Sequence, residues 1–164
     1  MVEMTLLSDA VRLLSSLQEH GLTMSLAESC TGGMIGAIVT SVPGSSESFL
    51  GSAVVYSNYA KEHILKVNRH TLNKFGAVSE ITAKEMAEKA IELFRSDVSV
   101  AVTGIAGPGG GTDDKPVGLV FVAVSNEEKT VVFMNHFIGD RKAIRQKTTH
   151  TALYMLYQLV EGKI

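Results

Sequence analysis

Ala27-Glu28-Ser29-Cys30-Thr31-Gly32-Gly33 places two hydroxyls and a thiol on one glycine-bearing turn. An apolar extended segment, Leu22 to Leu26, leads into it, and small apolar residues, Met34 to Val39, lead away. A strand that enters a helix through such a turn brings its hydroxyls to the helix N-terminus. There the first backbone N–H groups lack intrahelical partners and favour anions or developing negative charge. Ser29 and Thr31 suit N-caps, and Ser29 also suits a nucleophile. Cys30 competes for that role, since a helix start lowers a thiol pKa; its commoner fate is a small buried hydrophobe.

A serine nucleophile needs a base. The five histidines, His20, His63, His70, His136 and His150, all fall within or beside regular elements and none on the motif loops. A Ser-His-Asp machine is therefore poorly supplied, and no His-Glu-x-x-His pattern marks a zinc hydrolase. Lys61 remains, one turn into a helix that follows Tyr56-Ser57-Asn58. A lysine acts as general base only where burial or nearby cations pull its pKa from ~10.4 towards neutrality. From spacing alone Lys61 reads as a solvated surface residue, since lysine is rarely buried, with the base as the alternative. Tyr56 could orient either member of the pair.

Gly104-Ile105-Ala106-Gly107-Pro108-Gly109-Gly110-Gly111 has neither a Walker lysine nor the Gly-x-Gly-x-x-Gly spacing. It does offer backbone N–H groups beside Thr103 that can cradle an anion. Arg141, after Gly139-Asp140, can pair a phosphate bidentately.

The elements that would carry these loops follow from periodicity. Val11, Leu13, Leu14 and Leu17 predict a helix from about Ser8 to His20, closed by Gly21. Strands are expected at Leu22–Ala27, Ser52–Tyr56 and Val98–Thr103, and helices at Gly32–Ser41, from Ser57-Asn58, at Arg69–Phe75 and from Ser79. Gly118–Ser125 and Thr130–Phe137 read as a hairpin, and Asp140 caps a long last helix. The expected fold is α/β: a three-layer α/β/α sandwich with a mixed, mainly parallel sheet and a C-terminal hairpin plus long helix. Parallel strands would gather the three polar loops at one sheet edge.

Composition sets the outer limits. The 164 residues, 45% hydrophobic and 20% charged, suit one globular domain spanning 1–164. A formal net charge of -2 without a Lys/Arg cluster argues against nucleic acid as a partner. A single cysteine excludes an internal disulfide framework, and no Cys/His spacing suggests a metal. No run approaches membrane-span length and the start lacks a signal-peptide pattern, so no membrane partner and a cytoplasmic location are expected.

Six motifs stand in register: Ala-Glu-Ser-Cys-Thr-Gly-Gly at 27–33, Tyr-Ser-Asn-x-x-Lys at 56–61, Gly-Ala-Val-Ser-Glu at 76–80, Thr-Gly-Ile-Ala-Gly-Pro at 103–108, Lys-Pro-Val-Gly at 115–118 and Gly-Asp-Arg at 139–141. Together they resemble the CinA C-terminal domain, the family that includes PncC-type nicotinamide mononucleotide deamidases. The resemblance implies hydrolysis of the carboxamide of nicotinamide mononucleotide to nicotinate mononucleotide and ammonia, a pyridine-nucleotide salvage step. It implies Ser29 as nucleophile, Lys61 as base and Tyr56 nearby, with no metal or cofactor. Cys30, Thr31 and Gly32, with Thr103, Gly104, Gly107 and Arg141, would contact the small-molecule nucleotide, and the domain would form a homo-oligomer. Long CinA proteins carry a preceding molybdopterin-binding-like domain; these 164 residues leave no room for it, and roles of the long form are not expected to transfer. Two other functions fit the same residues: a non-catalytic mononucleotide-binding or regulatory module, and an amidase for another small amide. A protein-interaction module is a third class, for which no docking surface is legible.

Overall fold

Val98–Gly104, with β-branched Val98, Val100, Val102 and Thr103 among smaller residues, forms the middle of the molecule, a strand (β3) buried at every position but its last. The computed structural model describes residues 2–164. Around β3 the sheet takes the order β2-β1-β3-β4-β5, with β1 Met24–Glu28, β2 Phe49–Val54, β4 Leu119–Ser125 and β5 Thr130–His136. β1 pairs in parallel with both β2 and β3, whereas β4 is antiparallel to β3 and to β5. Four strands thus point one way and β4 alone is reversed. The tight connection at 126–129 can return the chain only antiparallel.

Alternation along the strands builds two cores. Met24, Leu26, Val98, Val100, Val102, Val120, Val122 and Val124 face α1 (Val2–His20), α2 (Met34–Thr40) and α6 (Arg141–Val160). Ala27, Ala53, Ala101, Phe121 and Ala123 face α3 (Asn58–His63), α4 (Arg69–Phe75) and α5 (Glu80–Phe94). The result is the three-layer α/β/α sandwich expected. Small residues on the second face let α5 approach through Ala83, Ala87 and Ala90, and Ser99 Oγ donates to the Ala87 carbonyl at 2.6 Å.

The ends of the elements have local causes. Gly21, at φ 65, closes α1 with Gly21 N–H to Gln18 O and Leu22 N–H to Leu17 O, the paired bonds of a Schellman motif. Ser57, Ser79 and Asp140 accept from Ala60, Thr82 and Ala143 N–H as the N-caps of α3, α5 and α6. Helix α1 begins earlier than periodicity suggested because buried Leu6 continues the stripe of Ala10, Leu13, Leu14 and Leu17. Strand β2 ends at Val54 rather than Tyr56, since the carbonyls of Val55 and Tyr56 turn away to another partner, described below.

The chain crosses from β1 to β2 through α2 on one face, and from β2 to β3 through α3–α5 on the other. β1 and β3 therefore flank a topological switch point, where the loops after neighbouring strands diverge and leave a crevice. Among the described residues no helix is long and apolar enough to cross a membrane.

Candidate active site

The crevice at the switch point is a cleft of ≈ 170 Å³ lined by Ser29 and Cys30 from the loop after β1, Tyr56 and Lys61 from the loop after β2 and α3, Thr103 and Gly104 at the end of β3, and Ala106 just beyond it. Ala77 and Val78 close one wall, and Arg141, first residue of α6, stands at the mouth.

Lys61 is 1% exposed, and its Nζ donates to Ser29 Oγ at 2.8 Å, to Val55 O at 2.9 Å and to Tyr56 O at 3.1 Å. No carboxylate reaches it among the ion pairs of the described residues. Burial, which penalises the ammonium form, brings its pKa down from 10.5 to about 8, against a small opposing pull from the neighbouring Cys30. The arrangement matches what a lysine base requires. Two N–H groups are held by backbone carbonyls, and the third direction of the nitrogen points at a serine hydroxyl.

Cys30 is a different case. Burial pushes its thiol up to about 12, with Glu28 adding to the rise and Cys30's own backbone N–H, then Lys61 and Arg145, offsetting part of it. The lowering expected of a helix start does not operate, for a structural reason. The N-terminus of α2 already holds an anion of its own.

That anion is Glu28, the last residue of β1, fully buried. Its Oε2 accepts from Thr31 Oγ1 at 2.7 Å, Gly33 N–H at 3.0 Å and Ile35 N–H at 3.1 Å, and its Oε1 accepts from Gly36 N–H at 2.9 Å and Ser52 Oγ at 3.0 Å. Neither Ser29 nor Thr31 caps α2. Gly33, at φ 93, occupies the N-cap position with no side-chain cap, and the carboxylate does the work from the preceding strand. The expectation that the first N–H groups of α2 would hold an oxyanion is thereby corrected.

The remaining expected contacts divide cleanly. Cys30, Thr103, Gly104 and Arg141 line the cleft with Ser29 and Lys61. Thr103 Oγ1 donates to Ala77 O at 2.7 Å, so its hydroxyl fixes the wall. Gly107 stands behind Arg141, its carbonyl accepting from Nη1 at 2.8 Å, while Arg141 Nη2 donates to the Tyr56 hydroxyl at 3.1 Å. Thr31 and Gly32 do not line the cleft, because Glu28 turns Thr31 inward and Gly32 lies exposed on the outer side of the turn. Sequence reading missed the role of Glu28, although an acid ending an apolar strand just before a glycine-led helix is a usable signal. It also missed Arg145, one turn beyond Arg141, whose Nη2 donates to Thr31 O at 2.5 Å. None of the five histidines lines the cleft; His150 pairs with Asp9 at 2.6 Å between α6 and α1.

Residues 7–160 match the family model described as the CinA C-terminal domain. The chain belongs to that family. It is 52% identical over 159 residues to the CinA-like protein of Endomicrobium trichonymphae, covering 97% of this chain and 36% of that protein. It is 49% identical over 146 residues to a putative competence-damage inducible protein of Halothermothrix orenii, covering 88% of this chain and 35% of that one. The CinA-like chain thus spans about a third of the length of the curated relatives it matches. Among solved structures it resembles the competence/damage inducible protein CihA of Agrobacterium tumefaciens at TM-score 0.92 and 42% identity, over 94% of this chain and 95% of that one. A CinA superfamily protein of Enterobacter cloacae follows at TM-score 0.90 and 35% identity, over 94% and 92%.

Proposed function

We propose that this CinA-family domain is an amidohydrolase that converts nicotinamide mononucleotide to nicotinate mononucleotide and ammonia through a Ser29–Lys61 dyad. The observation that carries the reading is the buried 2.8 Å contact between Lys61 Nζ and Ser29 Oγ in a cleft without a carboxylate on the amine. In the neutral amine two N–H groups remain on Val55 O and Tyr56 O, and the lone pair faces the Ser29 hydroxyl. Lys61 takes the hydroxyl proton as Oγ bonds to the carboxamide carbon, giving a tetrahedral intermediate. The C–N bond then breaks, its electron pair leaving on nitrogen, which takes the proton from Lys61 and departs as ammonia. Water, deprotonated by Lys61, releases the acyl group and restores Ser29.

Charge on the intermediate needs donors other than the start of α2. Ser29 N–H donates to Val102 O at 3.1 Å and ends the β1–β3 ladder. Gly104, two residues on, turns its N–H to the same side of β3, past that last rung, and is the donor we assign to the oxyanion. One such donor is worth ~3 kcal/mol of transition-state stabilisation.

Arg141 carries the substrate's anionic end in this reading. Both its hydrogen bonds go to neutral acceptors, and no carboxylate neutralises it among the described ion pairs. At ≈ 170 Å³ the cleft is smaller than the roughly 300–1,000 Å³ that encloses a whole drug-sized ligand. It suits the amide-bearing ring, with the ribose phosphate left at the mouth beside Arg141. Ammonia release by the purified protein from nicotinamide mononucleotide, compared with nicotinamide and asparagine, tests the reading. Release from the mononucleotide alone supports it; binding without release replaces it with a nucleotide-binding module.

A further inference from the structure

Ser29 and Lys61 come from separate loops, and the cleft works only if those loops keep a fixed relation. Backbone pairing supplies part of it, through Ser29 N–H to Val102 O and Val55 N–H to Glu28 O at 2.9 Å. The side chain of Glu28 supplies a second tie of another kind. Through Oε2 it gathers the nucleophile's turn, bonding Thr31, Gly33 and Ile35; through Oε1 it bonds Gly36 of α2 and Ser52 of β2. β2 runs on directly into Val55 and Tyr56, whose carbonyls hold Lys61. The three backbones meet closely here. A Cβ added to Gly36 would lie 3.4 Å from both Glu28 Oε1 and Ser52 Cβ. The carboxylate accepts five hydrogen bonds, three from backbone, and no cation pairs with it among the described ion pairs. A fully buried carboxylate spent this way is costly to desolvate, and an apolar side chain would fill the same space.

We propose that Glu28 is a positioning residue for the dyad, locking the turn that carries Ser29 to the strand whose end holds Lys61. This rests on the Ser–Lys reading above. Glu28 touches neither the cleft nor the amine, so it acts through the placement of Ser29 Oγ relative to Lys61 Nζ. Misplacing reacting groups by about 1 Å costs on the order of 100-fold in rate.

The test compares Glu28→Gln and Ser52→Ala with the unaltered protein. Readouts are kcat and KM for nicotinamide mononucleotide, the pH profile, and the rate at which a fluorophosphonate probe labels Ser29. In Glu28→Gln an amide NH₂ faces donors, and kcat per labelled serine should fall on the order of 100-fold, with KM changed less than about threefold. Ser52→Ala cuts only the arm to β2 and should lower kcat about tenfold in a folded protein. The basic rise of the pH profile should stay near 8 in both, since Glu28 does not enter the charge surroundings of Lys61. A purely structural role would reduce the labelled fraction and leave kcat per labelled serine intact; that result overturns the proposal. If Glu28→Gln does not fold, Ser52→Ala decides alone, and unchanged kcat there overturns it. Probe labelling with a mononucleotide that yields no ammonia would overturn the substrate assignment and leave the positioning role to the labelling rates. No labelling of the unaltered protein would sink the dyad, and this role with it.

Discussion

Arg141 Nη2 donates to the Tyr56 hydroxyl at 3.1 Å and so joins the first turn of α6 to the segment just after β2 across the mouth of the cleft. The same guanidinium holds the glycine-rich loop through Gly107 O. One cation thus touches two of the three loops that build the site, yet among the described residues its hydrogen bonds go to neutral oxygens.

Arg141→Ala is expected to raise KM for a phosphorylated substrate by about 10- to 100-fold, the loss of a charge-assisted pair, while kcat changes little. The unphosphorylated riboside should be insensitive to the change. Tyr56→Phe removes only the hydroxyl and keeps the backbone carbonyl that Lys61 uses, so its kcat should stay close to that of the unaltered protein. Steady-state kinetics on the two substrates check both statements.

Ser29→Ala should lower ammonia release by at least about a thousandfold, with an unchanged melting temperature to within a few degrees. Lys61→Arg should be equally inactive, since guanidinium does not give up its proton near neutral pH. An active Ser29→Ala protein would remove the nucleophile assignment.

Cys30→Ala should keep most of its activity. With its thiol pushed up to about 12 by burial, Cys30 should also resist iodoacetamide at pH 8 in the folded protein and react once denatured. Rapid native alkylation accompanied by inactivation would move the nucleophile to sulfur.

The pH dependence has a definite sign. Lys61 must be neutral to accept a proton, so kcat/KM should rise about tenfold per pH unit below its pKa and level off above about 8. The folded value lies below the unfolded 10.5, so between 8 and 10.5 the unfolded chain binds the extra proton. The Lys61 contribution to stability is therefore whole above 10.5 and is lost as pH falls to 8, a difference of roughly 3 kcal/mol. A profile that falls with pH through this range would exclude a lysine base.

Much of this arrangement was legible in residue order, and the reason is local. Caps such as Ser57, Ser79 and Asp140, and the stop at Gly21, depend on short-range hydrogen bonds that residue type announces. The valine-rich segment Val98–Thr103 reads as a strand, and the structure makes it the central one, extended to Gly104. What stayed hidden depends on contacts across the sheet. Lys61 reads as a surface lysine until β2 is seen to end early and lend it two carbonyls. Glu28 reads as one polar residue of the turn after the first strand, and its link to Ser52 spans 24 positions. The helix-start anion site was misread for the same reason, since the acid that fills it belongs to another element.

The reversal of β4 has a bearing on how such a domain diversifies. Residues 105–118 leave and rejoin the sheet at the same edge, tied at their base by Ile105 N–H to Leu119 O and Gly118 N–H to Ile105 O. That segment is an appendage hung beside the entrance, whose size can change without moving a strand or the dyad. If the domain is the amidohydrolase proposed above, laboratory libraries aimed at substrate choice belong in those fourteen positions.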